Sequence, residues 1–316
     1  MTIGQSACPA ERSFDTRLPC RFGLVGSGYW ASTVHAPGLQ RVAGARLVGI
    51  WARDPAKTAA LAASCGVAAF SSLEAMLDAV DAVSFAVPPD VQETLAPRVL
   101  AAERHVMLEK PIATRARAAA AIAAQAEAGK RAGIVFFIRR FVPEIAAFLA
   151  CHQAEDWREA EVELRSAVFA ADSPYRDSAW RKAEGAGVWD VGPHVLSILI
   201  PMLGPVLEAR ALRPDEPFSC FETLHAGGAR ARVRITLRAE PGDIRNVYRF
   251  HGPAGDVIAP QPRIDRLDAF VRAATALVAQ IRDPAQCHPC GLALGAETVR
   301  VLEQVLPWPA RRSSAG

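Results

Sequence analysis

The chain has 316 residues, 51% of them hydrophobic, with 36 Lys and Arg against 33 Asp and Glu. That length supports two domains with separate cores, and a formal charge of +3 without a run of five like charges advertises neither a nucleic-acid nor a membrane surface. Seven scattered cysteines (Cys8, Cys20, Cys65, Cys151, Cys220, Cys287, Cys290) fit free thiols in a reducing compartment. Met1 to Pro19 lacks the pattern of a signal peptide, and no apolar run is read as reaching the 18 or more residues that cross a bilayer, so a cytoplasmic chain is expected. Cys287-His288-Pro289-Cys290 has the spacing of half a zinc site. No second Cys or His pair completes four ligands, so no metal is expected.

Residues 1–19 are polar and aperiodic and read as a mobile lead-in. From Arg21 an apolar run, Phe22 to Val25, feeds into Gly26-x-Gly28-x-x-Ala31 and then a helical pattern from about Tyr29 to Val42. This is the order of a dinucleotide-binding turn. Gly26 permits the tight bend, Gly28 keeps side-chain bulk off a pyrophosphate, and small Ala31 lets the helix lie close on the strand. Further strands are expected at Leu47 to Trp51, Ala82 to Val87, His105 to Glu109 and Gly133 to Ile138. Helices are expected at Pro55 to Cys65, Leu73 to Ala79, Val91 to Glu103 and Ile112 to Arg131, with Pro55 and Pro111 at helix starts. Strands alternating with helices imply a doubly wound parallel sheet of the α/β class over residues 20–140.

After Phe141 the pattern changes, and residues 141–316 are assigned to a second domain. Alternating segments at Glu161 to Ala167, Glu208 to Leu212, Ala229 to Leu237 and Asn246 to His251, with a turn at Gly252-Pro253-Ala254-Gly255, predict a largely antiparallel sheet. Helices at about Trp189 to Leu203, Ile264 to Ile281 and Gly291 to Leu306 cover one face of it, giving an α+β domain.

Three groups of residues can carry chemistry. Glu109-Lys110-Pro111 ends the fourth strand, where ligands of open α/β sheets sit. A lysine desolvated beside a cofactor gives up its proton more readily, so Lys110 can exchange the proton that accompanies hydride transfer. Trp189-Asp190-Val191-Gly192-Pro193-His194 reads as a helix start with Asp190 as N-cap and Pro193 in the first turn, and Asp190 and His194 share a face. Arg140, in Arg139-Arg140-Phe141, is expected to face the interdomain cleft and hold substrate hydroxyls or a carboxylate; Tyr175 and Trp180 flank the substrate side.

Together Gly26-x-Gly28-x-x-Ala31, Glu109-Lys110-Pro111, Trp180-Arg181, Gly185-Ala186-Gly187 and Asp190-x-Gly192-x-His194 resemble the glucose-fructose oxidoreductase, inositol dehydrogenase and rhizopine-catabolism (Gfo/Idh/MocA) family, from about Arg21 to Leu306. The resemblance implies an N-terminal Rossmann domain and a C-terminal α+β domain whose open sheet forms a homo-oligomer, dimer or tetramer. It implies hydride transfer between a nicotinamide cofactor and a CH-OH carbon of a sugar, nucleotide-linked sugar or cyclic polyol. Carried over, Lys110, Asp190 and His194 are catalytic and touch substrate, with either Lys110 or His194 as the acid/base. Gly26, Ser27, Gly28, Tyr29, Trp30, Arg53, Pro88, Pro89, Glu109, Lys110, Trp180 and Arg181 would contact cofactor. Val87-Pro88-Pro89 and the Gln92-Glu93-Thr94 region depart from the family pattern, at ribose and substrate contacts.

Cofactor choice follows from the second strand. Where an NAD enzyme places an acid for the ribose 2′-OH, this chain reads Trp51-Ala52-Arg53-Asp54, so NADP is expected, with NAD the alternative if Asp54 turns toward the ribose. Two other readings use the same scaffold: a non-catalytic NAD(P)-sensing protein, and a reductase of an imine or unsaturated carbon. Retention of both Lys110 and His194 favours catalysis over sensing.

Overall fold

The computed structural model describes residues 18–178, 180–183 and 185–308, so most of the expected lead-in lies outside the described residues. The first layer begins with β1 (Cys20–Val25) and the short α1 (Ala36–Leu39), which follows a wide π-type turn over Ala31–His35. Then come β2 (Ala45–Trp51), α2 (Pro55–Cys65), β3 (Ala68–Ala69), α3 (Leu73–Ala79), β4 (Ala82–Phe85), α4 (Pro89–Ala101), β5 (His105–Leu108), α5 (Ala116–Ala128) and β6 (Gly133–Val135). All six strands pair in parallel, in the order β3-β2-β1-β4-β5-β6. The order reverses between β1 and β4, which opens a crevice at their carboxyl ends.

Local chemistry explains most of these boundaries. Asp54 caps α2 by accepting from the Lys57 N–H at 3.0 Å, Pro55 occupies the first turn, and Gly66 closes the helix in a left-handed conformation. Ser72 caps α3 in the same way. Pro111 does not open a helix as expected: it stands in a loop, and α5 starts only at Ala116.

The second layer adds α6 (Pro143–His152), β7 (Glu159–Arg165), α7 (Ala186–Leu203), β8 (Val206–Ala211), β9 (Ser219–His225), β10 (Arg230–Thr236), β11 (Arg245–Gly252) and β12 (Gly255–Ile258). Its strands run β12-β11-β7-β10-β9-β8 and are antiparallel except for β7 beside β10. The inner face buries Ala160, Val162, Leu164, Phe221, Val233, Ile235, Tyr248 and Phe250 beneath α7. On the other face Glu159, Glu161 and Glu163 stand opposite Arg230, Arg232 and Arg234. Cross-strand pairs of opposite charge stabilise that register by a few tenths of a kcal/mol each.

Two findings revise the sequence reading of α7. It starts at Ala186, after Gly185 in a left-handed turn, so Asp190 lies inside the helix and does not cap it, and Pro193 is interior. The helix, 18 residues long, is also long and apolar enough to cross a membrane by length and composition, contrary to the expectation that no such run exists. Its surface is mostly buried, and it is the core helix of the second layer. The last two helices, α8 (Arg266–Arg282) and α9 (Leu292–Val305), pack largely back on the first layer: Phe270 of α8 rests against His35 and Phe136, and α9 lies along α5.

Candidate active site

The crevice between β1 and β4 begins with the glycine turn. Gly26 has φ +125°, and a Cβ there would fall 2.4 Å from the Ala86 carbonyl oxygen, so no other residue fits. At Gly28 the opposite holds: a Cβ would meet nothing within 4 Å. That free space in front of a helix start leaves room for a pyrophosphate, so the residues present fit a dinucleotide. Ser27 is part-buried and Tyr29 exposed beside it, and Pro88 and Pro89 begin α4 at the neighbouring strand end.

Arg53 is exposed just beyond β2. Asp54, the other candidate for the ribose, is engaged as the cap of α2. A pocket of about 590 Å³ on the outer side of Tyr29 is lined by Thr33, Val34 and residues 263–267, and none of the expected acid/base groups reaches it.

The loop after β5 is held by a residue the sequence reading did not assign. Buried Gln92 donates through Nε2 to the Glu109 carbonyl at 2.7 Å and to the Pro111 and Ile112 carbonyls at 3.3 Å, and its Oε1 accepts from the Glu109 N–H at 2.9 Å. The Glu109 carboxylate, expected to contact cofactor, is instead bonded within the protein. Its Oε1 accepts from Trp30 Nε1 at 2.5 Å and lies 3.2 Å from His35 Nε2, while its Oε2 accepts from the Lys110 N–H at 3.2 Å. His35 is itself bonded to Ser84 at 2.9 Å. Glu109 thus ties the glycine-turn helix to the Lys110 loop. Trp30, also expected on the cofactor, carries Arg266 over its ring at 5.6 Å.

With that loop fixed, Lys110 Nζ crosses to the second layer. It donates to the Asp190 carbonyl at 2.6 Å and to Asp190 Oδ1 at 3.1 Å. Arg181 reaches the same carboxylate through Nε at 2.8 Å and Nη2 at 3.1 Å. The Lys110 and Asp190 side chains are only 15% and 9% exposed, so solvent screens the pair little. Burial alone would raise the Asp190 carboxyl, but the Lys110 and Arg181 cations outweigh it and hold it well below the usual carboxylate range. Arg181 also lies 4.4 Å over Tyr175, whose ring meets Tyr29 edge-on at 6.1 Å; burial pushes the Tyr175 phenol up to about 12. The Trp180 side chain lies outside the described residues.

His194 sits one turn after Asp190 on α7, on the same side of the helix. Its Nδ1 is buried and has no hydrogen-bond partner. Burial, then the Lys110 and Arg139 cations, lower its pKa well below the ordinary 6.5 against the opposing pull of Asp190, so the ring is neutral at pH 7. Lys110 Nζ thus reaches, across 80 residues of sequence, the helix that carries His194, and its charge lowers the His194 pKa.

Arg140 does not join them. Its Nη1 donates to the Ser197 carbonyl at 2.6 Å, and its charge acts on His288 and Cys290. The turn at Ile138–Phe141 is a 3-10 helix, in which successive side chains diverge by a third of a turn, so the two arginines point to different surroundings. The one whose charge acts on His194 is Arg139. The two lie in the same dipeptide, and only the turn type distinguishes them.

Residues 20–137 match the family described as oxidoreductase family, NAD-binding Rossmann fold. Galactose 1-dehydrogenase of Pseudomonas fluorescens is 30% identical over 232 residues, covering 70% of each chain. Inositol 2-dehydrogenase of Rhizobium meliloti is 29% identical over 264 residues, covering 78% of this chain and 77% of the relative. The crystal structure of GenD2 from gentamicin A biosynthesis, in complex with NAD, superposes with a TM-score of 0.77 at 20% identity over 95% of this chain and 96% of that one, which is a likeness of fold. With the glycine turn, the Glu109-Lys110-Pro111 loop and the Asp190 to His194 helix placed as described, the chain belongs to the Gfo/Idh/MocA family of oxidoreductases.

Proposed function

We propose that this chain is an NAD(P)-dependent dehydrogenase acting on a CH-OH carbon of a sugar, nucleotide-linked sugar or cyclic polyol. The observation that carries the reading is the Lys110 ammonium, fixed by Asp190 beside a neutral imidazole with an unpartnered nitrogen. The named relatives, a galactose and an inositol dehydrogenase, support the substrate class.

When bound, the nicotinamide supplies hydride acceptance or donation at its C4. Gly26 and Gly28 would hold its pyrophosphate. Arg53, exposed where a 2′-phosphate would lie, supports NADP, since Asp54 is engaged elsewhere. An ammonium has three hydrogens, and Asp190 takes two of those on Lys110. The third remains to hold the reacting oxygen of the substrate and to stabilise negative charge there. Neutral His194 is the acceptor of the hydroxyl proton in oxidation and, once protonated, its donor in reduction.

The test is a screen of aldoses, nucleotide-linked sugars and inositols for absorbance change at the nicotinamide band, with NAD and NADP in parallel. Turnover of at least one such alcohol is expected, faster with NADP. A chain that binds either cofactor and oxidises none of them would return the scaffold to a sensing role.

A further inference from the structure

A chain of polar side chains crosses the apolar core beneath the Lys110 loop. His35 and Ser84 are both 0% exposed, and the His35 ring lies 4.5 Å from that of Phe270 and 6.2 Å from that of Phe136. His35 Nδ1 is bonded to the Ser84 hydroxyl at 2.9 Å, and Nε2 to Glu109 Oε1 at 3.2 Å. A carboxylate only accepts, so Nε2 carries the hydrogen of the second bond. Trp30 Nε1 donates to the same oxygen at 2.5 Å, while Glu109 Oε2 accepts from the Lys110 N–H at 3.2 Å. Three donors thus hold one carboxylate that is 14% exposed. Ser84, His35 and Glu109 are the residue types of a hydrolytic triad, but the ring is reversed, with the serine on Nδ1 and the acid on Nε2. No substrate reaches a serine that is fully buried. Buried polar groups cost more than aliphatic side chains of the same volume, whereas a fully bonded network of them fixes one geometry.

We propose that His35 is a positioning residue for Lys110, acting through Glu109. The proposal rests on the reading of Lys110 as the group that holds the reacting oxygen, and deepens it by naming what aims that ammonium. Lys110 follows Glu109 directly, so the bond from its N–H to Oε2 sets the direction in which the lysine side chain leaves the loop. Gln92 already holds the Glu109 N–H and carbonyl, which leaves rotation of the Glu109 side chain to be fixed. His35 and Trp30 fix it by pinning Oε1. From there Lys110 Nζ has to meet the Asp190 carbonyl at 2.6 Å and Oδ1 at 3.1 Å. A misplacement of about 1 Å breaks such bonds and costs about 10² in rate. His35, with no exposed surface, touches neither cofactor nor substrate, so its whole effect passes through Glu109.

The experiment compares full-length wild type with His35→Phe and His35→Gln. Both variants lose the ring nitrogen bonded to Ser84, so lost stability does not separate them; glutamine keeps an N–H donor for Glu109 and phenylalanine has none. Acetylation by acetic anhydride well below the melting temperature, read by mass spectrometry, follows Lys110 without any substrate. Lys57, whose side chain is 72% exposed, is the internal reference. Lys110 labelling is expected to rise about fivefold or more in His35→Phe, the scale of one lost hydrogen bond, and to stay within about twofold of wild type in His35→Gln. On one alcohol, kcat of His35→Phe should fall about tenfold or more while the reduced cofactor, titrated by fluorescence, binds within about twofold of wild type. The acid limb of kcat/KM should move up toward 6.5, since a displaced ammonium no longer lowers His194 and leaves Arg139, which lowers it, against Asp190, which raises it. Unchanged Lys110 labelling in His35→Phe, equal labelling in the two variants, or a loss confined to cofactor binding overturns the proposal. If either variant does not fold, Glu109→Gln decides: one amide oxygen cannot serve three donors, so Lys110 labelling is expected to rise, and an unchanged rate overturns the proposal. A wild type that binds cofactor and oxidises no alcohol removes the dehydrogenase reading, while the labelling still decides whether His35 aims Lys110.

Discussion

Asp190→Asn isolates the electrostatic core of the proposed site. The substitution keeps the backbone carbonyl that accepts from Lys110 at 2.6 Å but replaces the carboxylate that Lys110 and Arg181 share. One amide oxygen cannot serve both cations, and the amide N–H₂ faces donors. Stranding one member of a buried ion pair costs about 3–5 kcal/mol, and the low exposure of both Asp190 and Lys110 puts this pair in that regime. At about 2 °C per kcal/mol for a chain of this size, the melting temperature should fall by roughly 6–10 °C. Turnover should drop by about 10², the lower end of acid/base losses, because the remaining backbone bond still restrains Lys110.

The pH dependence sharpens the test. Of the charges acting on His194, Asp190 is the one that raises its pKa, while Lys110 and Arg139 lower it. Removing the carboxylate therefore moves the acid limb of kcat/KM for oxidation further down, away from 6.5. The assay is a pH profile of wild type and variant on one substrate with a melt of each. Turnover within about threefold of wild type, or an acid limb displaced upward toward 6.5, would refute the assigned network.

Other outcomes follow from single residues. Gly28→Ala should leave the unfolding free energy within about 0.5 kcal/mol of wild type, since the added methyl meets nothing within 4 Å, yet weaken dinucleotide binding about tenfold or more. Unchanged affinity in a fluorescence titration would place the pyrophosphate elsewhere. Arg53→Ala should weaken NADPH about tenfold and NADH by less than about twofold; equal loss for both would remove Arg53 from the 2′-phosphate. His105, whose Nδ1 accepts from the Ala132 N–H at 2.9 Å, is lowered from 6.5 to about 4, by burial first and then by the Arg131 cation. The unfolded chain takes up that proton near 6.5 and the folded chain only near 4, so this contribution is complete above 6.5 and is lost as pH falls toward 4. The separation between 6.5 and about 4 corresponds to roughly 3 kcal/mol. Urea melts at pH 7 and pH 4.5 should show a smaller difference in His105→Gln, and an identical difference would exclude His105 as a source.

The first layer was legible because its signals are local: short apolar runs, the Gly26 to Ala31 turn, and helix starts such as Asp54-Pro55. The motifs carrying Lys110 and Asp190 to His194 were readable for the same reason, as was the alternation on β7, β10 and β11. Helix Pro143–His152 and strand Ser219–His225 were not: one is brief and apolar, and the other mixes Cys, Phe and Leu with Glu and Thr without a distinct period among its neighbours. Asp190 read as a cap because aspartate favours that position. Burial of Ala186, Val188 and Trp189 extends the helix one turn upstream of it.

The amino-acid sequence by itself determined the strand and helix periods, the glycine turn and which titratable residues were available. Tertiary packing decided which partner each one received. It assigned Glu109 to Trp30 and His35, made Gln92 the clamp of the Lys110 loop, and turned Arg140 toward Ser197. Those choices depend on contacts between segments up to 80 residues apart, such as Lys110 and Asp190. Hydrogen bonding and charge act over a few ångströms of space, and residue spacing reports such distances only within one helix or strand.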